Sequence, residues 1–457
     1  MDNEQFLSHV DQADQGLTRR RFLTRTGGLA LATSGLASGL LAACGGSTAS
    51  SSTSIAPRGA KISGALTVAY LGTADQQKGW NALFDLFRKK YPDVQLHAQG
   101  NPVDNWAGFF DAVSTQIAGG KVPDLVSVAT EGQRLFSSRG LVEPIDAYLE
   151  RDKDELANFF SDVNPNLMKW CNTFSSTDGK KYYIPSDFNT MALWYNAELF
   201  QKAGVPEPAA DWKWDDFLVA AKKVTKPGEV YGMYVSPEYF IGIMPWLLTN
   251  GASTLNADWT KATVNTPEAI EAAKFMRSLV AQGISPVPGG TFDRFTAAAQ
   301  GKLAMFGGGR WPLVNIRELN AVNKMKIVAW PQNKGKGSPV GWNAFPIMKA
   351  SQNKEAAWAF VKFMTSKEAD TFFINQGGGT GVPPRSSLAT GDIFLTDAPK
   401  GMDTLYNALA YATPIPSPDK GNIVQTAIED SFKQILTGNV SPEQGLADLN
   451  QKIQSNL

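Results

Sequence analysis

The sequence predicts an α/β fold built on a parallel sheet, in a chain long enough for two domains. β-Branched and apolar stretches, "ALTVAYLG" from Ala65 and "VQLHAQG" from Val94, alternate with segments of helical periodicity. Strands that alternate with helices in this way form parallel sheets with right-handed crossovers. Residues 44–457, which remain after a predicted leader, exceed the usual length of one domain.

The first elements of this sheet follow one another in a clear order. The first helix presents one apolar face formed by Trp80, Leu83, Phe84 and Phe87, and Pro92 ends it. The second helix presents an apolar face formed by Trp106, Phe110, Val113 and Ile117. The third strand is "DLVSVA" from Asp124. The turn after the first strand, "GTADQQKG", lacks the G-x-G-x-x-G pattern, so a dinucleotide site is not predicted there.

Residues 1–43 have the features of an export signal. The basic motif "TRRRFLT" from Thr18 precedes an apolar segment, Gly27 to Ala43, which is shorter than the roughly 20 residues of a spanning helix. A basic stretch, a modest apolar stretch and small residues before a cut are typical of a secretory signal. The adjacent arginines favour the twin-arginine route. A general export signal and a short membrane anchor are the alternatives.

Cys44 follows this leader directly. The segment "LAAC", Leu41 to Cys44, resembles a lipobox, in which small residues direct the peptidase and the cysteine receives the lipid. Residues 45–60, "GGSTASSSTSIAPRGA", offer almost nothing to bury and are typical of a flexible tether. We therefore expect residues 44–61 to be a lipidated cysteine and a tether, which hold the body outside the cytoplasm at the cell membrane.

The composition narrows the classes of function. Lysine plus arginine and aspartate plus glutamate each total 43, so the net charge is zero and a nucleic-acid partner is disfavoured. The only histidines are His9 and His97, and no metal motif is present, so neither a metal nor another cofactor is expected. Cys171 is the one cysteine after Cys44, and we expect it to be a buried thiol. Carboxylate pairs stay open, so an extracellular carbohydrate-active enzyme remains an alternative.

The segment "DGKKYYIPSDFNTMALWYNAELFQKAGV", from Asp178 to Val205, carries the most specific pattern in the chain. It resembles the extracellular solute-binding proteins of ABC importers, in the branch typified by maltose-binding protein. That branch shows an Asp-Gly-Lys turn, an Ile-Pro and a Tyr-Asn before a helix that ends in Ala-Gly. Three more segments match in the same order: "WKWDDFLVAAKKV" from Trp212, "AAAQGKLAMFGGGRW" from Ala297, and Gly341 to Arg385.

The resemblance implies a two-lobed periplasmic-binding-protein-like fold of type II, with a ligand cleft between the lobes. The chain would cross between the lobes three times, near Ile184 to Asn189, near Val328 to Lys336 and after Arg385. The lobes would then be residues 62–185 with 337–385, and residues 186–336 with 386–457.

The resemblance also implies where ligand-binding side chains lie. A sugar offers apolar faces and a rim of hydroxyls, so its site needs flat aromatic rings, carboxylates and amides. Placement along the chain predicts seven such residues at the cleft: Glu131, Asp187, Asn189, Tyr239, Trp246, Trp311 and Trp342. Core packing is the alternative for each aromatic residue, and a solvated loop position is the alternative for each carboxylate. By contrast, Trp80, Trp106 and Trp358 lie on or beside apolar helix faces and are predicted to be core.

Together these features predict the substrate-binding lipoprotein of an ABC importer, without catalytic activity. It would act as a monomer, capture a sugar or oligosaccharide by closing its lobes, and deliver the ligand to the membrane permease. A non-sugar solute is the first alternative. A polyamine site would need more carboxylates in the cleft, and a polyol phosphate site would need arginine or helix N-termini. The carbohydrate-active enzyme is the second alternative.

Overall fold

The computed structural model describes residues 55–103, 105–375 and 379–457. The predicted leader with its arginine motif, Cys44 and nearly all of the tether lie outside these ranges. Within the described residues, no helix combines the length and the apolar character that crossing a membrane requires. Cys171 is buried as predicted, and burial raises the pKa of its thiol to about 12.

Strands and helices alternate through most of the described chain. The strands are β1 (Gly64–Leu71), β2 (Val94–Asn101), β3 (Leu125–Val126), β4 (Val128–Ala129), β5 (Asp187–Thr190), β6 (Ala192–Asn196), β7 (Met305–Gly308), β8 (Met325–Ala329), β9 (Ser338–Ala344) and β10 (Ala412–Pro414). The helices are α1 (Ala74–Lys90), α2 (Trp106–Ala118), α3 (Thr130–Ser138), α4 (Asp146–Arg151), α5 (Lys153–Asp162), α6 (Pro165–Phe174), α7 (Ala197–Lys202), α8 (Trp214–Val224), α9 (Met244–Thr249), α10 (Pro267–Ala281), α11 (Arg294–Ala299), α12 (Pro312–Glu318), α13 (Lys354–Met364), α14 (Lys367–Asn375), α15 (Ser386–Ala389), α16 (Asp392–Leu395), α17 (Thr404–Asn407), α18 (Gly421–Leu436) and α19 (Pro442–Gln454). A π-helical turn spans Tyr239–Ile243, and 3₁₀ turns span Val322–Lys324 and Ala408–Ala410.

The first sheet has the predicted parallel arrangement. Its order is β2-β1-β3, and β1 pairs with β2 along its whole length. The predicted inner face of α1 is buried. Of the four residues predicted to form the apolar face of α2, Phe110 and Val113 are buried, and Trp106 and Ile117 are partly exposed. Because the strands are parallel, the segments that follow them meet at one edge of the sheet.

A second sheet is buried on both faces. β6 pairs antiparallel with β7 and β8, in the order β7-β6-β8. Successive side chains of a strand point to opposite faces. Trp194 of β6 accordingly packs into one apolar core, and its neighbours Leu193 and Tyr195 pack into another. The near-continuous apolar run of β6 therefore reflects burial on both sides.

A third sheet joins these two parts of the body. β9 pairs antiparallel with β5, from Asp187 opposite Asn343 to Thr190 opposite Val340, and it pairs parallel with β10. β4, which follows β3 of the first sheet directly along the chain, pairs antiparallel with β9 as well. β5 overlaps the first predicted crossing, β9 follows the second, and β10 comes after Arg385. The predicted lobe boundaries themselves stay a prediction.

Candidate functional site

A cavity of about 510 Å³ lies at the edge where β1, β2 and β4 end. Ligand cavities of this size are common in proteins, and in open α/β sheets they form at the carboxyl ends of the strands. This edge contributes Leu71, Thr73, Gln76, Trp80, Val103, Asn105, Trp106, Ser127, Ala129 and Glu131. The facing wall contributes Glu238, Phe240, Ile241, Arg294, Phe295, Trp311, Asn315, Gln425 and Glu429, and the joining segments contribute Asn189, Gly341, Trp342, Asn343 and Thr380.

Trp311 and Phe240 form an aromatic wall of the cavity. Trp311 precedes α12 and is partly buried, and its ring centroid lies 6.4 Å from that of Phe240. The chain approaches this ring closely at Gly309, where a Cβ would collide with both the Trp311 ring and the Asn189 amide. Glycine is therefore required there so that β7 can end directly beneath the ring. Trp311 therefore lines the cavity, and its predicted role in binding a ligand stays a prediction.

Trp342 contacts the cavity with little of its surface. It is only 1% exposed, and its indole Nε1 donates a hydrogen bond of 2.8 Å to Gln133 Oε1. Its backbone N–H donates to Thr130 Oγ1 at 2.8 Å, which fixes β9 against the start of α3. A buried polar N–H needs such a partner. Most of the Trp342 side chain therefore serves core packing and the hydrogen bond to Gln133, and little of it is available to a ligand.

Tyr239 and Trp246 lie in the core and do not line the cavity. The Tyr239 hydroxyl lies 2.6 Å from Thr254 Oγ1 and donates to the carbonyl oxygen of Pro416 at 3.1 Å. Trp246 is fully buried, with ring centroids 5.5 Å from Trp214 and 5.2 Å from Trp330. The sequence prediction located the right segment but the wrong face of it. In the π-helical turn, the residue after Tyr239 points to the cavity.

Glu131 faces the cavity from the first turn of α3. It is 7% exposed, and no side chain of another described residue donates a hydrogen bond to its carboxylate. Burial raises the pKa of Glu131 to about 7, and the nearby Glu429 carboxylate acts in the same direction. Only its own backbone N–H acts in the opposite direction. A buried carboxyl group that no other side chain contacts in this way is costly unless a ligand supplies donors.

Asp187 and Asn189 both belong to β5, which runs beneath the cavity. Of the two side chains, only that of Asn189 lines the cavity. Asp187 accepts a 2.6 Å hydrogen bond from Asn343 Nδ2, and burial raises its pKa to about 6. It therefore orients Asn343, which does line the cavity. The Asn189 side chain donates to Thr380 O at 3.1 Å and accepts from Arg310 N at 2.9 Å. Its amide is thus largely committed to holding the floor together.

Several lining residues have no counterpart in the sequence prediction. Glu429 and Gln425 come from α18, and Gln425 Nε2 donates to Glu429 Oε1 at 2.9 Å. Arg294 forms an ion pair with Glu238 at 2.9 Å. Trp106, predicted as core, is partly exposed at the cavity and stacks on Phe110 at a centroid distance of 5.7 Å. Trp106 begins the helix that follows β2, beside the strand ends, and this position could have indicated that it lines the cavity.

Among the described residues, no group of three His, Cys, Asp or Glu side chains is arranged to hold a metal ion. The cavity instead combines aromatic faces with carboxylates and amides. Such a lining can bind a ring that has apolar faces and hydroxyl groups around its rim.

The chain belongs to the bacterial extracellular solute-binding proteins, whose family profile matches residues 72–371. Members of this family are extracytoplasmic proteins that bind solutes. A Brucella abortus (strain 2308) relative, described only as a binding protein, is 26% identical over 377 residues, which cover 79% of this chain and 85% of the relative. The maltotriose-binding protein of Pyrococcus abyssi is 24% identical over 301 residues, covering 63% of this chain and 59% of that protein.

Solved structures of two-lobed solute-binding proteins share this fold. The ABC substrate-binding protein of Listeria monocytogenes in complex with cycloalternan superposes with a TM-score of 0.75 and 26% identity. The match covers 86% of this chain and 98% of the Listeria chain. The predicted two-lobed α/β fold is therefore confirmed.

Proposed function

We propose that this protein is the substrate-binding lipoprotein of an ABC importer, which captures a sugar or oligosaccharide in the cavity and delivers it to the membrane permease. The observation that carries the proposal is the lining of the cavity: an aromatic wall at Trp311 and Phe240 beside the carboxylates of Glu131 and Glu429. Sugar faces pack on aromatic rings, and sugar hydroxyls donate to carboxylates. The relatives that bind maltotriose and cycloalternan support the same class of ligand.

The ligand side chains of this proposal are fewer than the seven predicted. Trp311, Glu131 and Asn189 are kept because they line the cavity, and Trp342 is kept as a minor contact. Tyr239, Trp246 and Asp187 are given structural roles instead. Capture would require the lobes to close around the ligand, with β5, β9 and β10 as the hinge between residues 62–185 with 337–385 and residues 186–336 with 386–457.

The charge of the cavity bears on the alternative solutes. Its lining holds three carboxylates and one guanidinium, and that guanidinium is already paired with Glu238. A phosphate group would therefore meet net negative charge, which disfavours a polyol phosphate. An enzyme acting on sugars is disfavoured by the family, whose members bind solutes. In the proposed function, the protein acts as a monomer, binds no cofactor and catalyses no reaction.

Thermal denaturation against a panel of sugars, polyols, polyol phosphates and polyamines tests the proposal. We expect a sugar or oligosaccharide to give the largest rise in melting temperature, since a ligand at 100 times its Kd stabilises the folded state by about 2.7 kcal/mol. A turnover assay on the same sugars should detect no product. Stabilisation by phosphates or polyamines alone would contradict the proposal, and product formation would favour the enzyme.

Cys44 is proposed to become the lipidated first residue after export through the twin-arginine route. The motifs "TRRRFLT" and "LAAC" and the tether behind them support this. We expect mass spectrometry of the mature N-terminus to find an acylated cysteine. Cys44→Ala should accumulate as uncleaved precursor or be released from the membrane. An unmodified thiol at position 44 in the membrane fraction would contradict the proposal.

A further inference from the structure

Where α3 packs against α18, Glu131 from the strand-end edge and Gln425 and Glu429 from the facing side together form an acceptor wall. This wall presents hydrogen-bond acceptors to the cavity without matching donors. Glu131 accepts no hydrogen bond from another described side chain. Glu429 Oε1 accepts from Gln425 Nε2 at 2.9 Å and from Tyr239 N at 3.1 Å, and no hydrogen bond to its Oε2 is present among the described residues. The Oε1 atom of Gln425, a residue only 7% exposed, is buried without a partner.

Arg294 is the only cation in the described lining of the cavity, and it forms its ion pair with Glu238 and not with Glu131 or Glu429. Arg294 Nη1 donates to Glu238 Oε1 at 2.9 Å, and its guanidinium carbon lies 4.9 Å from the centre of the Phe295 ring. With one guanidinium assigned to Glu238, the carboxylates of Glu131 and Glu429 have no countercharge among the lining residues. Burial raises the pKa of both groups, in agreement with this lack of a positive partner.

We propose that the ligand is an amino sugar, whose ring packs on the aromatic wall while its ammonium group binds between Glu131 and Glu429. This inference rests on the proposed function and narrows its ligand class. An ammonium group has three donors and no acceptor, so it matches a wall that offers only acceptors. Hydrogen bonds between charged partners are roughly twice as strong as neutral ones. A neutral sugar could donate hydroxyl hydrogen bonds, but it would leave the buried carboxylate of Glu131 and the partly buried carboxylate of Glu429 without countercharge.

The aromatic wall formed by Trp311 and Phe240 favours an amino sugar over a linear polyamine as the ligand. Trp311 and Phe240 offer flat faces, which complement a sugar ring, and they lie in the same cavity as the acceptors. A linear polyamine would use the carboxylates but would leave these ring faces without a partner of matching shape. The combination of ring faces and acceptors therefore points to a cationic sugar.

Calorimetric titration with a matched set of oligosaccharides tests the inference. The probes are a glucosamine oligomer, its N-acetylated form and the corresponding glucose oligomer, with spermidine as the polyamine. The wild-type protein should bind the glucosamine oligomer at least tenfold more tightly than the two neutral oligomers. Its affinity for that oligomer should be highest near pH 7, because Glu131 is protonated at lower pH and the amino group of the sugar loses its proton at higher pH.

Two variants and a control make the result specific. Glu131→Gln and Glu429→Gln should each remove the preference for the amine, whereas Glu198→Gln, on the exposed face of α7, should retain it. Equal or tighter binding of the neutral oligomers would overturn the inference and leave the proposed function standing. Binding of none of the probes would overturn the inference alone, whereas binding of spermidine alone would overturn both the inference and the proposed function.

Discussion

Trp311→Ala is expected to weaken ligand binding at least tenfold while the melting temperature changes little. The Trp311 ring is partly exposed at the cavity, and its main aromatic neighbour is Phe240, at 6.4 Å between centroids. An aromatic contact contributes about 0.5–1.5 kcal/mol beyond the area it buries. Burial of the ring against a sugar adds transfer free energy, and about 1.4 kcal/mol corresponds to a factor of ten in Kd. Calorimetry and thermal denaturation of the purified variant measure both quantities.

Trp246→Ala is the matched control, because Trp246 lies in the core cluster against which Trp311 packs and does not line the cavity. Removing a buried tryptophan costs about 3–5 kcal/mol of stability. The melting temperature should therefore fall strongly, and the fraction that stays folded should bind normally. Trp342→Ala should resemble Trp246→Ala more than Trp311→Ala, since Trp342 is 1% exposed and bonded to Gln133. Normal affinity of Trp311→Ala would remove this ring from the site.

Replacing Trp259 is expected to weaken ligand binding about tenfold to a hundredfold, although Trp259 does not line the cavity. Its ring stacks on Phe174 at a centroid distance of 4.5 Å, and the guanidinium of Arg134 lies 4.8 Å from its centre. By the proposed boundaries, Trp259 belongs to lobe 2 and its two partners belong to lobe 1. In the proposed closure of the lobes, this contact would stabilise the closed state by about 0.5–1.5 kcal/mol from stacking and about 0.5–2 kcal/mol from the cation–π interaction.

Trp259 is also packed in the core of its own predicted lobe, so Trp259→Ala would lower stability as well as remove the contact. A variant of its partner Phe174 separates the two effects. Phe174→Ala removes the same stacking partner without altering the Trp259 loop. If the contact acts on closure, Phe174→Ala weakens binding, and the double variant with Trp259→Ala is no weaker than the stronger single variant. Unchanged affinity in Phe174→Ala, with a normal melting temperature, would show that the contact does not bias closure.

The fold was predictable from the sequence because its elements carry strong local signals. The strands at Ala65 and Val94 and the apolar face of α1 have the periodicity of buried elements, and each appears where expected. The parallel order then follows from the alternation of strands and helices. The lobe boundaries depend on long-range pairing, such as that of β5 with β9, which no local pattern encodes.

The site was predictable in position but only partly in detail. Trp311 and Glu131 each follow a strand, and strand ends converge, so their placement in the cavity could be inferred. Tyr239 was a wrong choice within the right segment, since a π-helical turn decides that Phe240 faces the cavity. Glu429 was missed because α18 lies far along the chain and reaches the site only through tertiary packing. Its sequence surroundings resemble any amphipathic helix.

The most direct test of the account is a crystal structure of the complex with the sugar that most raises the melting temperature. We expect a sugar ring packed against Trp311 in the 510 Å³ cavity, with polar groups at Glu131 and Glu429. The second cavity, lined by residues that include Phe160, Met168 and Tyr183, should be empty of sugar. Sugar bound in that second cavity, or a ligand in the first cavity that leaves the Trp311 face free, would contradict the account.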